Sequence, residues 1–362
     1  MIQTIRLRQA SAAAAAMACT VAAAQSSVTI FGRLNTGVEH ARIAGAGVSR
    51  LSNYRSVLGF RGTEDLGGGL RTIWQIEGAV ALDTGAAGLA NRNTHVGFAG
   101  PWGTLTAGVW AQPYTTATAA FDPFYTTTAG YMALMGNGSA PISGHTQDTS
   151  SFDRRQTNQL QYASPKWQGW STSISYGFKD DTAAVAQGSA QPWLASGALR
   201  YETDALVLTA AHERHHAYQA PGTTDTASKL GAAYTIGPAR LAAVVEHLRY
   251  GTATGRLSRN AWYVSGSYQI GAGALKAGYA RAGDGRGPST DTVGFFRSGA
   301  GTGAQQFTFG YEHALSRRTA VHAFYSRIRN ESQAVYDFAI NELGVRAGQQ
   351  PSVFALGLRH NF

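Results

Sequence analysis

From Val28 onward, apolar and polar side chains trade places at every second position, and this period of two constrains the fold more than any other feature of the chain. In Val28–Glu39, Val28, Ile30, Leu34 and Val38 hold even positions, while Arg33, Asn35 and Glu39 hold odd ones. A strand sends alternate side chains to opposite faces, whereas a helix would scatter these residues on all sides. The pattern recurs in pairs joined by short turns rich in Gly, Pro and Asp. Ser56–Thr63 and Leu70–Gly78 flank Gly67-Gly68-Gly69, and Thr94–Gly100 and Thr104–Trp110 flank Pro101-Trp102-Gly103. Lys229–Thr235 and Arg240–Leu248 flank Ile236-Gly237-Pro238-Ala239, and Ala261–Gln269 and Ala274–Arg281 flank Ile270-Gly271-Ala272-Gly273. With the remaining pairs, the opening run and the closing run Ser352–Phe362, sixteen strands are expected.

The first 24 residues stand outside this pattern. Arg6 and Arg8 precede a small apolar run that ends Ala22-Ala23-Ala24, the arrangement of an export leader cleaved after Ala24. Cleavage removes Cys19, the only cysteine, and lowers the formal net charge from +9 to +7 by taking Arg6 and Arg8. The exported chain, residues 25–362, therefore uses no disulfides where they would be permitted. Beyond the leader no stretch approaches the ~20 consecutive apolar residues of a spanning helix. A hydrophobic content of 44% argues against disorder.

Connection lengths decide the architecture. Turns at one end are a few residues long, while those at the other end, such as 179–195, 281–305 and 328–351, are longer and polar. The 338 residues left after cleavage (362 less 24) give roughly 21 per strand with its connection, which fits ~9–11-residue tilted strands of a membrane barrel. Facing pairs agree: Phe354, Leu356 and Leu358 share one parity and Arg359 and Asn361 the other; Phe307, Phe309 and Tyr311 alternate with Gln306, Thr308 and Glu312. An apolar outside with aromatics near the strand ends, and a polar inside, describe a wet lumen within lipid. Backbone groups in lipid must all be paired, so the sheet must close on itself. The expected fold is all-β: a sixteen-stranded antiparallel transmembrane β-barrel with short periplasmic turns and long outer loops.

Four segments carry a resemblance. Val28-Thr29-Ile30-Phe31-Gly32, the run Leu58–Leu70 (LGFRGTEDLGGGL), Leu315-Ser316-Arg317-Arg318-Thr319 and the ending Gly357-Leu358-Arg359-His360-Asn361-Phe362 occur in that order. In them the chain resembles the trimeric general-diffusion porins of Gram-negative outer membranes, particularly the beta-proteobacterial type, from Ser27 to Phe362. The resemblance implies a homotrimer in the outer membrane, in contact with its lipid and lipopolysaccharide, and makes Phe362 the signal presented to the assembly machinery. It further implies that the third outer loop, residues 111–151, folds into the lumen as a constriction; its aromatic content, including Tyr114, Phe121, Phe124 and Tyr131, would be costly in water. The acidic side of that constriction would be Asp122 and Asp148 on the loop with Glu77 on the third strand. The basic wall would be Arg33, Arg55, Arg61, His95 and Arg155. Val57 and Val109 stand where such porins commonly carry arginine, which weakens the usual cluster.

The implied activity is passive diffusion of small hydrophilic solutes and ions with a weak preference for anions. The 30 basic residues are arginine except for Lys166, Lys179, Lys229 and Lys276, and an arginine stays charged at any physiological pH. No cofactor, metal or catalytic group is expected, since the sequence offers no compact catalytic constellation, and no nucleic-acid partner, because the basic residues are scattered singly over strands of an exported chain. His212-Glu213-Arg214-His215-His216 matches the zinc-protease spelling, but that chemistry needs a helix, and this run ends a strand, where residues four apart lie roughly 13 Å from one another. The competing reading is a plugged barrel with an enzymatic or adhesive surface.

Overall fold

The structure is a computed structural model that describes residues 27–138, 149–178 and 191–362. The expected leader and Asp148 lie outside the described residues. The strands are β1 (Ser27–Ile43), β2 (in two segments, Ala46–Asn53 and Val57–Gly67), β3 (Leu70–Ala79), β4 (Thr94–Gly100), β5 (Gly103–Ala111) and β6 (Arg155–Ala163). They continue as β7 (Trp170–Gly177), β8 (Trp193–Glu202), β9 (Leu206–His216), β10 (Thr224–Ile236) and β11 (Ala239–Thr252). The last five are β12 (Gly255–Ile270), β13 (Gly273–Ala282), β14 (Ala304–Ala314), β15 (Thr319–Asn330) and β16 (Ser352–Asn361).

Each strand pairs antiparallel with the next, and β16 returns to β1 in the register Arg33↔Asn361 to Arg42↔Ser352, closing a sixteen-stranded barrel. The last residue completes the seam: Gly32 N donates to the Phe362 carbonyl at 3.0 Å and Phe362 N donates to the Gly32 carbonyl at 3.1 Å. Closure leaves no sheet edge in lipid, where each unpaired backbone group would cost several kcal/mol. The turn after β2 is possible because Gly67, Gly68 and Gly69 all take positive φ (85°, 61° and 81°), a conformation a side chain would resist.

Alternation assigns the faces. Leu356 and Leu358 are 58% and 47% exposed, whereas Val353 and Ala355, on the other face of the same strand, are 0%. Two outer connections are tighter than their sequence suggests. The stretches 40–55 and 249–260, left between expected strands, are largely strand extensions that meet in two-residue turns at Ala44-Gly45 and Ala253-Thr254. Alternation simply continues there in more polar residues. β2 breaks at Tyr54-Arg55-Ser56, where Arg55 takes φ 54°. Its two halves pair with the outer and inner halves of β1. Gly37 of β1 makes room for the Tyr54 ring: a Cβ there would lie 2.9 Å from it.

The third outer connection runs from 112 to 154, three residues beyond the expected 111–151, because β6 starts only at Arg155. It folds into the barrel as a short helix α1 (Pro113–Ala119) and a 3-10 turn (Tyr131–Ala133). Tyr114, Phe121, Met132 and Leu134 are buried, and they pack on inward residues of β11–β15 such as Leu248, Leu257, Tyr263 and Phe324. The connections after β13 and β15 bring Phe296, Tyr336 and Phe338 to the same cluster. The lumen is therefore divided. Along β11, β12 and β15 it is packed by an apolar core that inward alternation alone does not announce, Lys276, Glu312 and Arg359 form a half-buried ion-pair network on β13, β14 and β16, and along β1–β6 the wall remains polar.

Polar ties hold the loop down. Glu246 of β11 accepts from Tyr114 Oη at 2.7 Å and from Gly136 N at 2.8 Å. Glu39 of β1, fully buried, accepts from Thr128 of the loop as well as from Arg50, Ser52 and Tyr54. Arg259 of β12 donates to the Leu134 carbonyl and to Tyr336 Oη. Hydrogen bonds to charged groups are stronger than neutral ones, and in a dry interior each satisfies a group that would otherwise be costly to bury.

Candidate pore constriction

On the polar wall four guanidiniums converge. Arg33 points inward from β1 and its Nη2 donates to the Arg55 carbonyl at 2.9 Å, which the left-handed turn at Arg55 presents to it. The Arg55 guanidinium lies 5.5 Å from the centre of the Tyr125 ring on the loop. Arg92, just before β4, donates from Nε to Glu77 Oε1 of β3 at 3.0 Å. Arg155, first residue of β6, donates from Nε to Asn93 Oδ1 at 2.7 Å. Arg33, Arg55, Arg92 and Glu77 lie within electrostatic reach of one another, and Arg155 with Arg92 and Arg55. The second carboxylate is Asp153, whose Oδ1 accepts from Tyr125 Oη at 2.6 Å. Burial pushes the Asp153 carboxyl up, and Arg55 and the Tyr125 bond pull it back down. Four cations thus face two anions, a local excess of positive charge against a low-dielectric loop that concentrates its field.

A family model described as Gram-negative porin matches residues 10–333. This chain belongs to the Gram-negative porin family. Outer membrane porin protein 32 of Delftia acidovorans is 27% identical over 354 residues, covering 94% of this chain and 95% of the relative. Major outer membrane protein P.IA of Neisseria meningitidis is 33% identical over 129 residues, 28% of this chain and 33% of that protein. Among solved structures, the anion-selective porin from Comamonas acidovorans superposes with a TM-score of 0.78 at 24% identity, covering 93% of this chain and all of that one (100%). The trimer form of OmpT of Vibrio cholerae reaches a TM-score of 0.65 at 16% identity, covering 93% and 99%. The chain is an outer-membrane porin, a channel for passive diffusion.

In this porin the residues expected at the constriction fall in three places. Arg33, Arg55, Glu77 and Arg155 come together in the cluster just described. Arg61 and His95 lie in the row Thr29–Arg61–Gln75–His95, four residues nearer the short-turn end on β2 than Val57, which pairs with Arg33. There Arg61 sits 5.1 Å over the Phe31 ring, and His95 meets Trp110 edge-on at 4.5 Å. Asp122 is on the far side, against β12. It accepts from Phe124 N, Tyr131 N and Tyr263 Oη, each at 2.9 Å, and burial pushes it up to about 6 against the pull of those donors. Its position suits an anchor of the loop rather than a partner of the basic wall.

Arg92, Asn93, Tyr125 and Asp153 are absent from the expected set. Arg92 and Asn93 sit in an aperiodic connection, where no alternation assigns a direction. Asp153 lies two residues past the expected loop 111–151, and its place two residues before Arg155 is the signal the sequence offers for it. At the position of the missing arginine, Val57 shares a row with Arg33. On β9, His212 and His216 face outward, whereas Glu213 faces inward, where its Oε1 lies 2.8 Å from His215 Nε2. Strand geometry thus divides the metal-like run between two faces.

Proposed function

We propose that this porin conducts small hydrophilic solutes with a weak preference for anions, through a constriction formed by Arg33, Arg55, Arg92 and Arg155 against the inserted third loop. The carrying observation is the ratio of four guanidiniums to two carboxylates, one of them already engaged by Arg92. Positive linings favour anions. The similarity to a porin described as anion-selective supports the same reading. Arg61 and His95 extend the positive path toward the short-turn end, and Asp122 holds the loop. The protein works as a homotrimer with no chemistry of its own, exported with a leader of residues 1–24 and assembled as a barrel of residues 25–362. Phe362, at the closing seam, serves as the assembly signal, and the lipid around the loops includes lipopolysaccharide.

Liposome swelling tests the transport claim. Vesicles containing the purified porin are expected to swell in small neutral sugars and faster in a sulfonated solute of equal size. Equal rates, or a faster cationic solute, would contradict the anion preference, and no swelling at all would indicate a plugged barrel.

A further inference from the structure

On the polar wall, bases lie against aromatic rings, a pairing that conduction of simple anions does not require. Phe31 has the same inward parity as Arg33 on β1, and the Arg61 guanidinium lies 5.1 Å from the centre of its ring. Gly59, the cross-strand partner of Phe31, leaves room for that ring: a Cβ there would lie 2.3 Å from it. Trp110 points inward from β5 and meets His95 edge-on at 4.5 Å. On the loop, the Tyr125 ring lies 5.5 Å from the Arg55 guanidinium. Phe31, Trp110 and Tyr125 are half-buried, whereas Tyr114, Phe121, Tyr250 and Phe296 on the packed side are at most 2% exposed. The rings on the polar wall therefore keep apolar surface open to the lumen, at roughly 25 cal/mol for each Å² left in water.

Along β1, Phe31 lies between two basic levels. Arg33 is two residues nearer the long loops, roughly 7 Å away along the strand. Two residues the other way, Thr29 opens the row that holds Arg61, Gln75 and His95. A recess of about 210 Å³ lies at that row, with Thr29, Arg61, Ile73, Gln75 and His95 in its lining. A cavity of ~150 Å³ is enough for a benzene ring. Glu77, the acid in the row of Phe31, is already engaged by Arg92 at 3.0 Å.

Chloride gains nothing from these rings, which offer it no donor and turn negative faces toward it. A planar aromatic solute gains from them by edge or offset contact with Phe31 and Trp110, and by stacking on the flat guanidinium of Arg61. We propose that the solutes this constriction favours are small aromatic carboxylates, the ring held between Phe31 and Arg61 while the carboxylate meets Arg33. The proposal rests on the reading of the basic wall as an anion path, and it names the class of anion.

The test uses the purified porin in planar bilayers, with chloride current recorded while benzoate or cyclohexanecarboxylate is added. The two solutes share their charge and carboxylate and are close in size, and only one has a π-system. Half-block by benzoate is expected at a concentration ~fivefold lower, the scale of one aromatic pair. Phe31→Leu and Trp110→Leu each keep an apolar side chain but no ring. Each is expected to narrow the difference between the two solutes, and the double variant to abolish it. Because the two solutes are compared within each channel, a change of pore width cancels. Equal half-blocking concentrations in the wild type would overturn the proposal, as would a full difference in the double variant. The reversal potential of the same channels in a potassium chloride gradient separates the two readings. Equal block with a chloride-side potential overturns the aromatic preference alone, whereas a potassium-side potential overturns the anion path and the proposal with it.

Discussion

Asp153 is the loop's acid at the arginine cluster, and its buried environment makes it sensitive to pH. Burial raises its pKa above the ordinary carboxylate value, so it takes up a proton earlier than a free carboxylate as pH falls. Each protonation removes one negative charge from beside Arg55 and Arg155. The chloride-to-potassium permeability ratio is therefore expected to rise as pH is lowered from neutral, and Asp153→Asn should show the raised ratio at neutral pH and no further step. Asp122, which anchors the loop away from the arginine cluster, bears on stability instead. Its folded pKa of about 6 lies above the ~3.9 of a free aspartate, so the stability it confers is fully present below about pH 4 and is lost progressively as pH rises from there through 6. Heat-dependent migration of the wild type is expected to show a midpoint several degrees lower at pH 7 than at pH 4. Asp122→Asn should show a smaller step, Asp153 still contributing its own, and melt lower throughout, since one oxygen cannot serve both Phe124 N and Tyr131 N and a buried donor left without a partner costs ~1–3 kcal/mol. At this scale the sequence was informative where a strand fixed parity: Arg33 and Glu77 point inward because their neighbours must point outward. It was silent on Arg92, whose direction is set by its bond to Glu77.

In the proposed constriction the third loop is the element that narrows the barrel, and it is held by polar groups on the wall rather than by its own helix, which is too short to be stable alone. Glu246→Ala would leave Tyr114 Oη and Gly136 N without their acceptor and Lys229 without its main opposite charge. Removing one member of such a buried network costs ~3–5 kcal/mol. The expected result is a larger and noisier single-channel conductance, together with proteolytic cleavage within the loop in membranes where the wild type resists. An unchanged, quiet conductance would show that the loop is held by its apolar contacts alone. The loop's length and aromatic content made its burial legible from the sequence, because Tyr114, Phe121 and Tyr131 have no place in water. Its partners were not legible. The inward residues Leu248 and Leu257 sit between polar outward neighbours, His247 and Arg249 for the one and Arg256 and Ser258 for the other, while Phe324 sits between Ala323 and Tyr325, so a rule that reads polar as lumen assigns this wall to the wrong face. The break in β2 escaped for another reason: Arg55 is not a residue type that advertises a left-handed turn.

For the molecule as a whole, alternation, connection lengths and the need to pair every backbone group in lipid were enough to give a closed sixteen-stranded barrel before any contact was known. Within the closed barrel the inserted loop packs against β11, β12 and β15, and the proposed conducting path runs along the polar wall that carries the arginine cluster. Electrophysiology of the purified porin in a planar bilayer under a potassium chloride gradient examines that arrangement most directly. Stepwise openings with a reversal potential displaced toward the chloride equilibrium value are expected, and the displacement should shrink in Arg33→Gln/Arg155→Gln. A membrane that stays silent, or a reversal potential on the potassium side, would contradict it.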